Sequence, residues 1–297
     1  MEGKVGQLSD IGQFIKPGSS VAIGGAWLCN HPMAIVREII RQQIKDLTVM
    51  TIVGSIDIDL LLGAGLVKEL YFSFVSLEAF GLAPNFRRAI EGQQIAFQEI
   101  SGLAMILGFE ATGRGVSFLP YGGPVGSDYL KMRPDFYKMI KCPFTGQDLV
   151  AVPALKPDVA IIHAQKADLE GNIQIEGTSG SDVDLAKAAD KVIVTVEQIV
   201  SSEQIRAEAA KTKIPRFYVD LVIHAPLGAH PTSCVPEYVM DAWHVMEYMK
   251  LAQKPESFQQ YVQRYITGSS EEEYLELLGA EKRSKLKKLV GEARLLS

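Results

Sequence analysis

The sequence predicts an open α/β fold, in which helices cover both faces of a mostly parallel β-sheet and a helical tail follows. Short runs rich in Val and Ile alternate with segments of helical periodicity through the first 225 residues. Most of these runs are apolar on both sides, which is typical of parallel strands buried between helices. Strands alternating with helices are the pattern of the α/β class.

Seven runs are predicted as strands and five segments as helices. The predicted strands are Val21–Gly24, Leu47–Val53, Leu70–Val75, Ile95–Glu99, Val159–Ala164, Lys191–Val196 and Tyr218–His224. The predicted helices are Pro32–Ile44, Asp57–Leu62, Pro84–Glu91, Leu103–Gly113 and Asp182–Ala189. Residues 120–148 lack a periodic pattern, which is typical of a functional loop.

The pattern changes at Val235. The stretch VPEYVMDAWHVMEYMKLAQK has apolar residues at helical spacing, and the remainder is dense in Glu and Lys. Ser270 with Glu273 three residues later is a capping-box signature. We therefore expect one domain over residues 1–297, with a helical tail over about 235–297 that packs on the sheet or on a partner.

The composition predicts a protein with a large core. Of the 297 residues, 47% are hydrophobic and 22% are charged, and the formal net charge is −5 without a basic block. The three cysteines, Cys29, Cys142 and Cys234, are too few for a disulfide framework. No apolar run reaches the ~20 residues that span a bilayer, and the N-terminus lacks a signal-peptide pattern. We expect a cytoplasmic protein that binds neither nucleic acid nor membrane.

A Gly-Gly pair follows the first predicted strand. In SVAIGGAWLCNHPMA, Gly24 and Gly25 stand at the carboxyl end of a strand, where open α/β sheets bind ligands. Glycine permits positive φ and lets a ligand lie against the backbone. Pro32 suits the first turn of the next helix, with Asn30 or His31 as its cap, and free N–H groups there could receive an anion. The pair could equally be a tight turn, and no nucleotide-binding glycine motif is present.

These segments resemble a known family. PGSSVAIGGAWLCNHPMA resembles the first signature of the A-type subunit of the class I CoA-transferases, most closely the glutaconate CoA-transferase branch. Five further segments resemble later blocks of the same family, in the same order, and the match covers roughly residues 10–250. They are IKDLTVMTIVG, LVKELYFSF, ALKPDVAIIHAQKADLEGNIQIEG, DVDLAKAADKVIVTVEQIVSSEQIR and VDLVIHAPLGAHPTSC. The resemblance implies the open α/β CoA-transferase (NagB/RpiA-like) fold, a partner subunit of the B type, and acyl-CoA and a small carboxylic acid as substrates. It implies no permanently bound cofactor and no metal.

The resemblance also implies a division of labour between two subunits. In such transferases a glutamate of the B-type subunit performs the nucleophilic attack on the acyl-CoA thioester, and the motif around it is absent from this chain. The chain is therefore expected to form one wall of the acyl pocket and to be inactive alone. A carboxylate nucleophile divides the exchange into reversible steps, each through an oxyanion that loses ~3–4 kcal/mol of stabilisation per missing N–H donor.

The expected pocket residues follow strands or lie in the irregular segment. They are Gly24, Gly25, Asn30, Ser76, Ser101, Gly126 and Ser127. Strand-end hydroxyls can bind an acyl carboxylate, although each serine could instead cap a turn. Gly126 and Ser127 match a Gly-Ser pair of the glutaconate branch. Glu78 follows a strand much as the nucleophile does in the B-type subunit, so it is a catalytic candidate, although a role at the pocket rim is favoured.

Five other residues are given non-catalytic interpretations. Glu197 is predicted to have a structural role, such as that of a partner for a nearby cation. His224 and His230 lack a third ligand at a metal-binding spacing and are predicted as turn histidines with backbone partners. Cys29 has no identifiable base and is therefore not assigned a nucleophilic role. Trp27 is predicted to form a wall of the pocket.

Related activities stay open from the sequence alone. One relative on this fold hydrolyses a carbon–carbon bond in a ring-derived CoA ester and places a catalytic glutamate after the position of Ser101, where this chain has Gly102. A second decarboxylates a glutaconyl-type CoA ester, and a noncatalytic acyl-CoA-binding subunit is a third alternative. If the acid is a dicarboxylate, Arg87, Arg88 and Arg114 are candidate partners for it.

Overall fold

A computed structural model describes residues 3–294, except the side chains beyond Gly291. Its strands are β1 Val5–Gly6, β2 Ser20–Ile23, β3 Leu47–Gly54, β4 Val67–Val75, β5 Ala96–Glu99, β6 Phe118–Tyr121, β7 Lys138–Lys141, β8 Asp148–Pro153, β9 Val159–Ala167, β10 Ile173–Gln174, β11 Lys191–Ile199, β12 Thr212–Ile214 and β13 Leu221–His224. Its helices are α1 Ile11–Phe14, α2 Met33–Arg41, α3 Ile56–Gly63, α4 Pro84–Glu91, α5 Gly102–Gly113, α6 Tyr129–Met132, α7 Asp182–Ala188, α8 Ser202–Ala207, α9 Ala242–Ala252, α10 Pro255–Val262, α11 Glu271–Leu278 and α12 Ala280–Arg294.

The main sheet has the strand order β1-β13-β11-β9-β2-β3-β4-β5, and every neighbouring pair along this path is parallel. β10 adds an antiparallel pairing with β9 and with β12. A separate antiparallel sheet has the order β6-β8-β7. The predicted mostly parallel α/β sheet is therefore confirmed.

Helices cover both faces of the sheet, as predicted. Along β2, Val21 and Ile23 belong to one apolar cluster and Ala22 to another, because successive side chains of a strand point to opposite faces. The first cluster is completed by α2 and α3 and by aromatic residues of α9–α11. The second is completed by α5, α7 and β8. Burial on both sides explains why the strands are continuously apolar.

The predicted helical tail is confirmed, and it begins at Ala242. The capping box of Ser270 and Glu273 forms as predicted, with the Ser270 N–H donating to Glu273 Oε2 at 2.7 Å. Tyr248 and Phe258 of the tail are fully buried in the first cluster. The tail therefore packs on this chain's own helices. Over residues 3–294, no helix has both the length and the apolar character needed to cross a bilayer.

The structure corrects three predicted elements. Residues 120–148 are not irregular throughout, because they contain α6 and β7 and border β6 and β8. Strands of four residues that are paired far along the chain carry too little periodicity to be recognised. α2 ends at Arg41 instead of Ile44, and Tyr218 belongs to the 3₁₀ turn Arg216–Tyr218 that precedes β13.

Candidate functional site

The predicted pocket residues lie along one edge of the main sheet, where the parallel strands β2–β5 have their carboxyl ends. Gly24 and Gly25 follow β2 directly. Ser76 follows β4, and Ser101 is the second residue after β5. Neighbouring strands lie about 4.8 Å apart, so the ends of β2 and β5 are separated by about 14 Å. The predicted residues therefore form two groups, which we call the β2 end and the β5 end of the site.

At the β2 end, the glycine pair makes room for other parts of this chain. A Cβ on Gly24 would lie 2.5 Å from Asp182 Oδ1, and a Cβ on Gly25 would lie 2.8 Å from the backbone nitrogen of His31. Gly25 also has a φ of +88°. The pair thus allows the Asp182 carboxyl and the following loop, residues 24–30, to pack against the end of β2.

The backbone N–H groups of the pair already have partners. The Gly24 N–H donates to the Ile161 carbonyl at 2.9 Å, and the Gly25 N–H donates to Asp182 Oδ1 at 2.8 Å. The first two residues of α2 are engaged as well, since the Met33 and Ala34 N–H groups donate to carbonyl oxygens of the chain. These four N–H groups are therefore not free to receive an anion, as the sequence had suggested for the start of this helix.

The expected side-chain cap of α2 is also absent. Pro32 immediately precedes the helix, and no side chain accepts a hydrogen bond from its first turn. Asn30 lies at φ +55° and its backbone N–H donates to the Ser233 carbonyl at 2.7 Å. His31 is buried instead of capping, because its ring points to α3. Contacts with distant parts of the chain, instead of a side-chain cap, therefore hold the residues that precede α2.

His31 has hydrogen-bond acceptors on both ring nitrogens. Its Nδ1 lies 2.9 Å from Asp57 Oδ2 on α3, and its Nε2 lies 2.5 Å from the Trp27 carbonyl oxygen. Burial alone lowers the pKa of His31, but the Asp57 carboxylate, the Trp27 carbonyl and Asp182 outweigh that effect and raise it above its ordinary value. The acidic groups around His31 therefore favour the positively charged form of the imidazole beneath the loop.

Asp182, the first residue of α7, is a buried carboxyl at the same place. Burial raises its pKa to about 7, and the Gly25 N–H and His31 offset only part of that effect. Within residues 3–294, neither Asp182 Oδ2 nor Asn30 Oδ1 has a hydrogen-bond partner, although both atoms are buried. Unpaired buried oxygens are costly, so these two could accept a donor from a ligand or from water.

The residues that follow β4 form a tight turn. Ser76 is buried, and its Oγ accepts a hydrogen bond from the Glu78 N–H at 3.0 Å. The Ser76 N–H donates to the Gly54 carbonyl at 3.2 Å. Glu78 has a φ of +54° and an exposed side chain. The turn-capping interpretation of Ser76 thus describes its observed contacts, and Glu78 is presented to the surface.

At the β5 end, Ser101 caps α5 and contacts two tyrosines. Its Oγ accepts from the Ala104 N–H at 3.4 Å and lies 3.3 Å from the Tyr121 hydroxyl. The Ser101 N–H donates to the Tyr137 hydroxyl at 3.3 Å. Tyr121 is the last residue of β6, and Tyr137 immediately precedes β7. The small antiparallel sheet thus brings two further hydroxyls to this end of the site.

Gly126 and Ser127 lie in an exposed turn beside the β5 end. Ser127 Oγ donates to the Pro124 carbonyl at 2.8 Å, and Gly126 has a φ of +83°. The next residues, Asp128 and Tyr129, border a cavity of about 560 Å³. Phe97, Glu99, Met132 and Arg133 complete its lining. The turn therefore flanks a cavity at the end of β5 and is distant from the β2 end.

Four of the seven non-glycine residues with positive φ in the described part of the chain lie at this edge of the sheet. They are Trp27, Asn30, Glu78 and Leu227, with φ between +53° and +58°, and they follow β2, β4 and β13. The other three, Gln43, Asp46 and Gln93, precede β3 and β5 at the opposite edge. Such conformations cost free energy, but here they are not confined to the edge of the candidate site.

Two further side-chain clusters have structural contacts. Glu197 makes structural contacts, although no Lys or Arg side chain among the described ones pairs with it. It accepts from the Leu227 N–H at 2.9 Å and the Tyr238 hydroxyl at 3.0 Å, and it contacts His163. His230 has side-chain partners and not the predicted backbone ones. Its ring contacts Asp241 Oδ2 at 3.1 Å.

The structure also places His244 beside this pair, so that three candidate ligand atoms lie within 4.8 Å of one another. The sequence spacing of His230, Asp241 and His244 did not indicate this proximity. Tyr274 and Tyr261 hydrogen-bond to the two imidazoles at 2.6 Å and 2.8 Å, and Lys282 Nζ lies 3.0 Å from Asp241. Because these groups already satisfy one another, the arrangement fits a buried structural network.

Cys29 and the three candidate arginines add little to the site. Burial raises the pKa of the Cys29 thiol, which disfavours the thiolate. Arg87 and Arg114 pair on the surface with glutamates of their own helices. Arg88 donates to the Ala252 and Gln253 carbonyls after α9. None of these contacts directs an arginine to the β2 end.

Sequence reasoning missed the charged residues beneath the glycine loop. Asp57 and Asp59 are both fully buried in α3, whose sequence IDIDLLLG is otherwise apolar. Acidic residues inside such a run were a usable signal, because a buried carboxylate requires partners. Asp182 gave no comparable signal, since its contact with Gly25 joins residues 157 positions apart.

Comparisons with known proteins match this architecture. The sequence matches the family described as Coenzyme A transferase over residues 9–225. It is 34% identical to the A-type subunit of glutaconate CoA-transferase from Acidaminococcus fermentans, over 97% of this chain and 96% of that protein. The crystal structure of glutaconate coenzyme A-transferase from the same organism superposes with a TM-score of 0.90 over 95% of each chain. The predicted resemblance and its fold are confirmed.

Of two other relatives, one is longer than this chain and the other is named for a different activity. An uncharacterised protein of Archaeoglobus fulgidus is 38% identical over 92% of this chain, and the chain spans 61% of that relative's length. A cholesterol ring-cleaving hydrolase subunit of Rhodococcus jostii is 32% identical over 89% of this chain and 92% of that protein. The match to the family and to an A-type transferase subunit covers most of the chain, and the chain therefore belongs to the coenzyme A transferase family.

Proposed function

We propose that this chain is the A-type subunit of a heteromeric CoA-transferase that moves CoA between small carboxylic acids, of which one is a dicarboxylic acid of the glutaconate type. The observation that carries the proposal is the 34% identity to the corresponding subunit of glutaconate CoA-transferase over nearly the whole of both chains. The chain would form one wall of the acyl pocket, and the B-type subunit would form the other.

The geometry of the sheet edge supports this division of roles. The β2 end offers unpaired buried oxygens of Asn30 and Asp182, and the β5 end offers the hydroxyls of Ser101 and Tyr121. The two hydroxyls can donate to the carboxylate of a bound acid, whereas the two oxygens can accept from an N–H donor of the acyl-CoA. The nucleophilic carboxylate is assigned to the partner, as the absence of the Ser-Glu-Asn-Gly-like motif predicts.

Within this chain, Glu78 is the alternative candidate for the nucleophile, a role that we assign to a glutamate of the partner. Its exposed side chain and its φ of +54° at the end of β4 would suit a group that meets a substrate or a partner. We place it at the rim of the pocket. Replacing Glu78 by Gln is expected to slow CoA transfer only modestly, because the substitution keeps the shape of the side chain and removes only its charge.

The deciding experiment labels the nucleophile chemically. The chain and its partner, assembled and purified together, are incubated with glutaconyl-CoA and then treated with borohydride, which reduces a glutamyl thioester. Each polypeptide is then analysed separately by mass spectrometry. The expected result is a reduced glutamate on the partner, both with the wild-type chain and with Glu78→Gln.

Two outcomes would contradict the proposal in different ways. A reduced Glu78 would move the nucleophile into this chain. Consumption of the CoA ester with neither chain labelled would mean hydrolysis or decarboxylation on a transferase fold. The ring-cleaving hydrolase places its catalytic glutamate where this chain has Gly102, whose Cβ position lies 3.3 Å from Ser73 Oγ, so the hydrolase alternative lacks its acidic group here.

A further inference from the structure

We propose that His31 is a positioning residue, which as an imidazolium holds the loop of residues 24–30 in its observed conformation through the Trp27 carbonyl. The structural part of this inference concerns the isolated chain. Its catalytic consequence rests on the function proposed above, because the loop matters for turnover only if it forms a wall of the acyl pocket.

Both ring nitrogens of His31 face an oxygen, and a doubly protonated ring can donate to both at once. A backbone carbonyl only accepts, so the Nε2 facing Trp27 at 2.5 Å must carry a hydrogen. Asp57 Oδ1 accepts from the Ser55 N–H at 2.7 Å, and Asp57 Oδ2 lies 2.9 Å from His31 Nδ1. A neutral imidazole has a single N–H, so it could donate only to the Trp27 carbonyl and would need a proton on Asp57 to complete the second bond.

The groups that face His31 from each neighbouring element favour the charged form. Asp57 faces it from α3, and Asp182 faces it from α7. Cys29 of the loop lies close enough to Asp182 for that carboxyl to contribute to its raised pKa. The leading contributions that raise the pKa of His31 all come from Asp57, the Trp27 carbonyl and Asp182. The imidazolium is therefore compensated by acids on two sides.

His31 contacts the loop through both its backbone and its ring. Its backbone nitrogen lies 2.8 Å from the position of a Cβ on Gly25, and its ring reaches the carbonyl of Trp27. Trp27 has a φ of +53°, a conformation that a residue with a side chain adopts only when tertiary contacts hold it there. Loss of one of the two ring hydrogen bonds would release this constraint and allow the indole of Trp27 to move.

The first test follows Trp27 by its fluorescence. Trp243 is 74% exposed on α9, and Trp243→Phe leaves Trp27 as the single tryptophan of the chain. In that background, His31→Gln is expected to increase acrylamide quenching of Trp27, because a glutamine side chain cannot donate in both directions. His224→Gln is the matched control, since the His224 ring contacts the Glu197 carbonyl and not the loop. Equal quenching in the His31 and His224 variants would overturn the proposal.

A second measurement does not depend on a variant that folds. In ¹⁵N-labelled wild-type chain, both ring nitrogens of His31 are expected to resonate as protonated nitrogens at about pH 7, where an unperturbed histidine is mostly neutral. A neutral ring at that pH would overturn the proposal. Neither test requires substrate or partner, so either can fail while the transferase proposal stands.

The catalytic consequence is measured in the complete assembly. His31→Gln is expected to lower kcat for CoA transfer by about a hundredfold, with a smaller change in KM, because misplacing a pocket wall by ~1 Å costs about that much in rate. Wild-type activity should decline at alkaline pH as His31 loses its proton, and the variant should lack that decline. An unchanged alkaline limb in the variant would assign it to another group.

Discussion

At the β2 end of the candidate site, the loop of residues 24–30 is held by Asp182, His31 and the Ser233 carbonyl, and most of its residues are buried. At the β5 end, the Gly126–Ser127 turn is exposed, and apolar side chains such as Leu103 and Met132 face solvent with exposures of 55% and 71%. At the β2 end, this chain itself supplies the contacts that hold the loop. The β5 end has the character of a surface that another protein covers, and we expect it to be finished by the partner subunit.

Gly25 and Gly126 provide the sharpest test of this difference. Both have positive φ, +88° and +83°, but a Cβ on Gly25 would lie 2.8 Å from the backbone of His31 whereas a Cβ on Gly126 meets nothing within 4 Å. Gly25→Val is expected to destabilise the chain by roughly 2–5 kcal/mol and to abolish CoA transfer, whereas Gly126→Val should cost about 1–2 kcal/mol. Chemical denaturation and pull-down with the partner test both.

Association with the partner should survive Gly25→Val, because the β5 end is unchanged in that variant. Normal CoA transfer in folded Gly25→Val would disprove the assignment of the loop to the pocket. Equal destabilisation by the two valines would show that the crowding at Gly25 is relieved by movement of the loop.

Asp182 predicts a pH dependence that is specific to the β2 end. Its folded pKa of about 7 exceeds the ordinary value of 3.8. Between these values the unfolded chain releases the proton while the folded chain keeps it, so this group lowers stability as the pH rises through that interval. Asp182→Asn cannot ionise and keeps an oxygen that accepts from the Gly25 N–H.

Relative to wild type, Asp182→Asn should therefore gain stability from about pH 4 to pH 8. The gain should amount to a few kcal/mol, because one pKa unit corresponds to about 1.4 kcal/mol. Urea unfolding of both proteins across this pH range measures it, and groups common to both proteins cancel. A stability difference that does not change with pH would show that Asp182 ionises normally in the folded chain.

The smallest effects are expected from the two serines at the β5 end. Ser101→Ala removes the N-cap of α5 and should cost about 1 kcal/mol of stability. Ser127→Ala removes one hydrogen bond in an exposed turn and should cost under about 0.5 kcal/mol. If both serines bind the acyl carboxylate, each variant raises KM for the acid. An unchanged KM in both would remove them from the pocket.

The sequence predicted the sheet well because each central strand carries its own signal. β9 and β11 are continuously apolar since both of their faces are covered, and their predicted starts, Val159 and Lys191, are the observed ones. The strands that were missed, such as β7, are short and half-exposed, so their pairing with β8 is visible only in three dimensions.

The candidate site was predictable only in its outline. Gly24 and Gly25 mark the correct strand end, because the requirement for glycine is local. The groups that occupy the space beside them could not be inferred, since Asp182 and Ser233 approach this loop from the distant second half of the chain. His31 was assigned to a helix cap because the sequence does not show that its ring faces α3.

β9 pairs with β2 in the sheet although it is synthesised much later than β2, and this affects the order in which contacts can form during translation. β2–β5 form a contiguous run that can pair as soon as it leaves the exit tunnel, but β2 gains its other neighbour only after residue 159. The loop at the end of β2 gains its hydrogen bond to Asp182 only after that, and its bond to the Ser233 carbonyl later still. A translation product that ends before Asp182 would therefore contain the whole loop but lack both of these contacts.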